Sequence, residues 1–216
     1  MTYLSKSFVL ASLLFAALTV NAAPAGGDFT DNFEVRRLDT EHFSLWDNDV
    51  TIVNMGTRGM TIMSKGTTPA DGNVVYFPTA DANWEAEANV VLYPTSKGGL
   101  VLMQDRDHYW GITANYRDIT VVDASGTQKT IRNPYGRYLH LRLTYADGQL
   151  VLAAAPQKTP WRIIDNANPK TKRQPATQWT VVATLEPSAL SQPAKICLMA
   201  MDKDVVSFRD FWYRTK

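Results

Sequence analysis

Glu85 and Glu87 stand two apart in the run Glu85-Ala86-Glu87-Ala88-Asn89-Val90. In an extended chain alternate side chains share a face, so both carboxylates and Asn89 point the same way. Two carboxyl groups about 5 to 5.5 Å apart serve retaining glycoside hydrolysis, and a wider pair serves inversion. The matching face, however, is apolar throughout: Trp84, Ala86, Ala88, Val90 and Leu92. That pattern predicts a strand with its core side covered and Glu85 and Glu87 on a solvated side.

Other chemistry finds less support. His42, His108 and His140 lack the close spacing of a zinc site, and the single Cys197 adds no second ligand. No Gly-x-Ser-x-Gly elbow marks a serine nucleophile. Cys197 lies in an apolar run and reads as a buried, inert thiol. Sugar binding asks for aromatic faces together with planar polar groups. Tyr109, Tyr116, Tyr138, His140, Arg142 and Trp161 are of these types and are not claimed by a core face. They form the expected ligand-binding set, with an oligo- or polysaccharide as partner.

The elements that must hold these residues are strands. Leu139, Leu141, Leu143 and Tyr145 alternate with Tyr138, His140, Arg142 and Thr144, which gives one core face and one face for water or ligand. Asp147-Gly148 then supplies a hairpin turn. The same reading predicts strands over 50–53, 59–63, 73–77, 84–93, 99–104, 109–115, 119–123, 137–145, 150–152, 179–185, 195–201 and 207–213. So many strands in one domain require two packed sheets or a barrel. Residues 155–178 carry four prolines and Trp161 and read as one long irregular segment of the kind that carries specificity.

Lys6 followed by the apolar run 8–20 predicts a signal peptide cleaved after Ala22, which leaves 23–216 as a single domain. The expected product is exported to the periplasm or the cell exterior, with no membrane anchor. A formal net charge of +1 gives no electrostatic footprint for nucleic acid. The lone cysteine excludes an internal disulfide.

Four segments carry a family resemblance, in order along the chain. Phe29-Thr30-Asp31-Asn32-Phe33, with Leu38-Asp39 and Trp46, is similar to the first strand of concanavalin A-like lectin and glucanase domains. Gly99-Leu100-Val101-Leu102-Met103-Gln104-Asp105, with His108-Tyr109-Trp110, resembles the sandwich domain at the C-terminus of bacterial β-xylosidases and arabinofuranosidases. Tyr138 to Leu143 with Asp147-Gly148 resembles the same domain. Phe208-Arg209-Asp210-Phe211-Trp212-Tyr213 resembles the closing strand of the superfamily.

The resemblance implies an all-β, two-sheet antiparallel jelly-roll sandwich and a leaning toward carbohydrate. It implies a structural calcium ion between Asp31 in the first strand and Asp210 in the last, strands that pair in the superfamily. It transfers no catalytic residue. The jelly-roll glucanases carry Glu-x-Asp-x-x-Glu on one strand, and Val90 stands where the last acid belongs. In the xylosidases the domain follows a catalytic propeller, whereas here only the predicted signal peptide precedes it. The expectation is therefore a carbohydrate-binding or accessory sandwich. The alternatives are a small glycan hydrolase or lyase with its acid and base in loops, and a module that docks onto another protein.

Overall fold

Leu139, Leu141 and Leu143 are fully buried in the strand Tyr138–Ala146, as their period-two spacing requires. Asp147 and Gly148 follow with φ of 51° and 79°. Two successive left-handed residues make the tight turn whose twist matches a hairpin, and the chain returns antiparallel over Gln149–Pro156. The computed structural model describes residues 27–45, 53–56, 59–64, 66–69, 71, 74–80, 83–157, 176, 178–187, 190, 194–202 and 204–216. The predicted signal peptide, Trp46 and Trp161 lie outside the described residues.

In chain order the strands are β1 (Phe29–Asp31), β2 (Ser44–Leu45), β3 (Val53–Gly56), β4 (Gly59–Met63), β5 (Val74–Pro78), β6 (Trp84–Leu92), β7 (Lys97–Met103) and β8 (Tyr109–Ala114). They continue as β9 (Asp118–Asp123), β10 (Gly126–Arg132), β11 (Tyr138–Ala146), β12 (Gln149–Pro156), β13 (Thr180–Leu185), β14 (Lys195–Met201) and β15 (Val205–Thr215). No helix occurs among the described residues. The strands form an 8-stranded sheet in the order β13-β12-β11-β6-β15-β4-β3, with β1 also on β15, and a 7-stranded sheet in the order β10-β9-β8-β7-β14-β5-β2. All pairings are antiparallel. The architecture is the two-sheet sandwich that the resemblance implies, and of the two arrangements the strand pattern left open it is the packed sheets.

The core lies between the sheets. Phe77 of the smaller sheet sits 5.1 Å from Phe211 and 4.9 Å from Tyr213 of the larger one, ring centre to ring centre. Each such ring contributes about 1.5–3 kcal/mol by leaving water. Backbone approach is close at Gly99, where a Cβ would lie 2.2 Å from the Ile112 carbonyl oxygen and 3.0 Å from Leu141 Cδ1 of the opposite sheet. Only glycine fits there. The outer face of the smaller sheet carries a second apolar cluster that includes Val101, Tyr109, Val122, Cys197 and Met199.

One irregularity sets what the larger sheet presents outward. β15 pairs with β6 through a bulge, with Phe208 opposite Val90 and Asp210 opposite Asn89. Arg209 is the extra residue, and it reverses the inside–outside phase of the strand. Phe208 therefore faces the core, as do Phe211 and Tyr213 beyond the bulge, while Asp210, Trp212 and Arg214 align with the outer residues of β6.

Candidate functional site

The outer face of the larger sheet gathers the polar side chains of three adjacent strands. The central strand β6 contributes Glu85, Glu87 and Asn89. Across one edge β11 sets Thr144, Arg142 and His140 opposite them, and across the other β15 sets Arg214, Trp212 and Asp210. On β12 the partners of His140 and Arg142 are Ala155 and Ala153. These small residues leave height above β11, and the Trp179 indole lies there, its ring centre 4.1 Å from the Arg142 guanidinium carbon.

The two carboxylates are engaged differently. Glu87 Oε1 lies 2.7 Å from His140 Nδ1 and accepts the Ala176 backbone N–H at 2.8 Å. Glu85 meets Arg214 Nη1 at 2.9 Å, Lys216 Nζ at 3.1 Å and Arg142 Nη1 at 3.4 Å. Burial alone would raise the Glu85 pKa. The Lys216 hydrogen bond and the charges of Arg142, Lys216 and Arg214 outweigh it and hold the carboxyl below its ordinary value. Above this floor His140 is stacked on Trp212 at 5.9 Å and meets the edge of Trp179 at 6.4 Å.

Glu85 and Glu87 are only 9% and 1% exposed, which corrects the expectation of a solvated face. Alternation identifies the side of β6 that meets the core, but the other side is covered as well, by Trp179, Trp212 and the cationic side chains. The floor of the site is thus buried, while Arg142, Arg214 and Lys216 keep 21%, 30% and 48% of their side chains exposed and form a rim.

Of the predicted ligand-binding residues the structure brings together Tyr138, His140 and Arg142 on β11. Tyr109 belongs to β8 in the other sheet, where it is buried in the second apolar cluster; desolvation there raises its hydroxyl pKa. Tyr116 stands exposed in the β8–β9 turn, on a separate groove. Sequence reasoning missed Trp179, Trp212, Arg214 and Lys216. The bulge hid Trp212, because it breaks the alternation that would have assigned Trp212 and Arg214 to one outer face.

The predicted calcium pair does not form a site, and this too is a correction. β1 and β15 do pair, but Asp31 lies opposite Phe211, a core residue, and so shares its side of the sheet; Asp210 lies opposite Asn89 on the outer side. Asp31 accepts the Phe33 N–H at 2.7 Å, and Asn89 Nδ2 donates to Asp210 at 3.5 Å. Burial raises the Asp31 pKa, with the charge of Asp39 adding to it. Asp39, Glu41 and His42 do cluster, with ligand atoms within 4.8 Å of one another, and could hold a cation near the surface.

Among the described residues no nucleophilic side chain is hydrogen-bonded to His140. Ser207, on the same face, is instead bonded to Thr61 at 2.9 Å and to Tyr93 at 3.2 Å.

No family model and no curated protein sequence matches the chain. Solved structures do. The GH43 BlXynB protein from Bacillus licheniformis superposes with a TM-score of 0.68 at 13% identity, over 87% of this chain and 39% of that one. A xylan β-1,4-xylosidase from Bacillus halodurans gives 0.64 at 12% identity, over 86% of this chain and 38% of that one. The shared fold is a two-sheet antiparallel β-sandwich. A transglycosylase, Crh5 in its apo form, shares it more loosely, with a TM-score of 0.55 at 9% identity over 89% of this chain and 86% of its own. The chain spans about 39% of the length of the first of these sandwich-bearing proteins. At such identities the likeness is one of fold.

Proposed function

We propose that this chain is an exported carbohydrate-binding or accessory β-sandwich protein, which holds an oligo- or polysaccharide on the outer face of its larger sheet and does not cleave it. The observation that carries the reading is the state of Glu85, held ionised by Arg142, Arg214 and Lys216. A glycoside hydrolase needs one carboxyl that keeps its proton and a second left open for attack or for activating water. Glu85 cannot keep a proton at neutral pH, and Glu87 Oε1 is already shared between His140 and a backbone N–H. What the face offers instead is an indole and a set of guanidinium and ammonium donors at the rim, the combination that packs on a pyranose ring and pairs its hydroxyls.

Glycoside-hydrolase folds among the structural neighbours support the leaning to carbohydrate, and the apolar leader supports export. The test is a glycan array probed with the exported protein, followed by a hydrolysis assay on every glycan bound. Binding without turnover, weakened by roughly 1–3 kcal/mol in Arg142→Ala, is the expected result. Turnover that disappears in Glu85→Gln or Glu87→Gln would overturn the binding-only reading.

A further inference from the structure

A second groove, of about 550 Å³, opens at one end of the sandwich, away from the Glu85–Glu87 face. Pro94 and Thr95 from the β6–β7 turn, Asn115, Tyr116 and Arg117 from the β8–β9 turn, and Arg137 from the segment before β11 line it. That volume lies in the range of small-molecule sites.

The loops are pinned. Asn115 Oδ1 accepts the N–H groups of Arg117 at 2.8 Å and Asp118 at 2.7 Å. Asn133, itself buried, donates from Nδ2 to the Asn115 and Gly136 carbonyls, each at 2.8 Å, and its own N–H reaches the Arg117 carbonyl at 2.6 Å. Arg137 is gripped as well. Its guanidinium carbon lies 5.1 Å from the Tyr138 ring centre and 5.7 Å from that of Tyr93, and its carbonyl accepts the Leu92 N–H at 2.8 Å.

Among the described residues no ion pair joins Arg117 or Arg137 to a carboxylate, and Arg137 Nε is buried with no hydrogen-bond partner. A buried guanidinium nitrogen without an acceptor is costly. That nitrogen is closed to solvent, so an incoming oxyanion would meet the parts of Arg117 and Arg137 that line the open groove. Tyr116, 53% exposed, offers an aromatic ring at the mouth of the same groove.

We propose that this groove binds the carboxylate of an acidic pyranose, a uronate unit of a glycan, with Arg117 and Arg137 on the carboxylate and Tyr116 against the sugar face. A planar carboxylate matches the fork of a guanidinium better than a neutral hydroxyl does. The choice of a sugar to carry the anion rests on the glycan reading above. The demand for an anion rests on the two arginines alone.

The test is calorimetric titration of the full protein with trigalacturonate and, separately, with its neutral methyl ester. The acid is expected to bind, the ester to bind about ten-fold more weakly or not at all, and added salt to weaken the acid further. Arg117→Ala should cost about ten-fold in affinity and Tyr116→Ala about five-fold. Both sit on an exposed turn, so folding is preserved where Arg137→Met is at risk of losing it. Equal binding of acid and ester, no binding of the acid, or unchanged affinity in both turn variants would overturn the proposal. Arg142→Ala is the separating control. It should leave trigalacturonate binding unchanged while weakening a neutral glycan held on the sheet face.

Discussion

His140 Nδ1 lies 2.7 Å from Glu87 Oε1, and the two side chains are 2% and 1% exposed. The contact is diagonal, since His140 lies opposite Asn89 and Glu87 opposite Arg142 in the β6–β11 register. The same oxygen accepts the Ala176 N–H, so one carboxylate ties two central strands to the backbone just before Trp179.

Glu87→Ala should therefore destabilise by more than a surface change. It strands the His140 ring nitrogen and the Ala176 N–H, at about 1–3 kcal/mol for each buried group left unpaired. Urea denaturation of the variant should show a midpoint drop corresponding to about 2–6 kcal/mol in total. A loss under half a kcal/mol would mean that the pair contributes nothing to the fold.

Glu85 gives stability a pH dependence of known sign. Its folded-state carboxyl is held below the ordinary glutamate value of 4.5, so the folded protein releases that proton more readily than the unfolded chain does. The stabilisation is complete above that ordinary value and is lost as pH falls through the lower, folded-state one. Glu85→Gln should flatten the acid limb of a melting-temperature profile and lower stability at pH 7 by about 1–3 kcal/mol. An acid limb identical to that of the wild type would show that the three cations do not act on Glu85.

Cys197 should be chemically silent while the chain is folded. Burial pushes its thiol up to about 12, and the thiolate is the reactive form. Iodoacetamide at pH 8 should label it only after denaturant is added. Rapid labelling of the native protein would place the thiol at the surface.

Asp31→Asn and Asp210→Asn should leave any response of the melt to calcium unchanged, because the two carboxylates face opposite sides of the sheet. Binding to the folded state alone would raise the transition by mass action. A shift between excess calcium and EDTA would point to another oxygen cluster, with Asp39 and Glu41 the first to replace.

Much of this fold was legible in the chain. Strands β4 and β14 lie where the apolar runs 59–63 and 195–201 place them, and the leucine alternation assigns the core face of β11. The strand β10 was not legible, because Gly126–Arg132 is exposed at six of seven positions and carries no apolar alternation to register. The candidate site was half legible. Period two gives His140 and Arg142 a common outer face, but it cannot say whether that face is wet. Glu85 and Glu87 are covered by residues distant in sequence, Trp179 and Trp212 among them, and no local pattern reports such a lid.

The bulge at Arg209 lets β15 hold one residue that the ladder does not count, since Phe208 pairs with Val90 and Asp210 with Asn89. Straightening the strand with Arg209 kept in the ladder would turn every later residue over. Asp210, Trp212 and Arg214 would swing into the apolar interior, and Phe211 and Tyr213 would turn out onto the outer face. Deleting Arg209 would instead leave Phe208 and Asp210 adjacent and in phase, so among relatives of this chain a one-residue gap should be tolerated at Arg209 and not at positions 210 to 213.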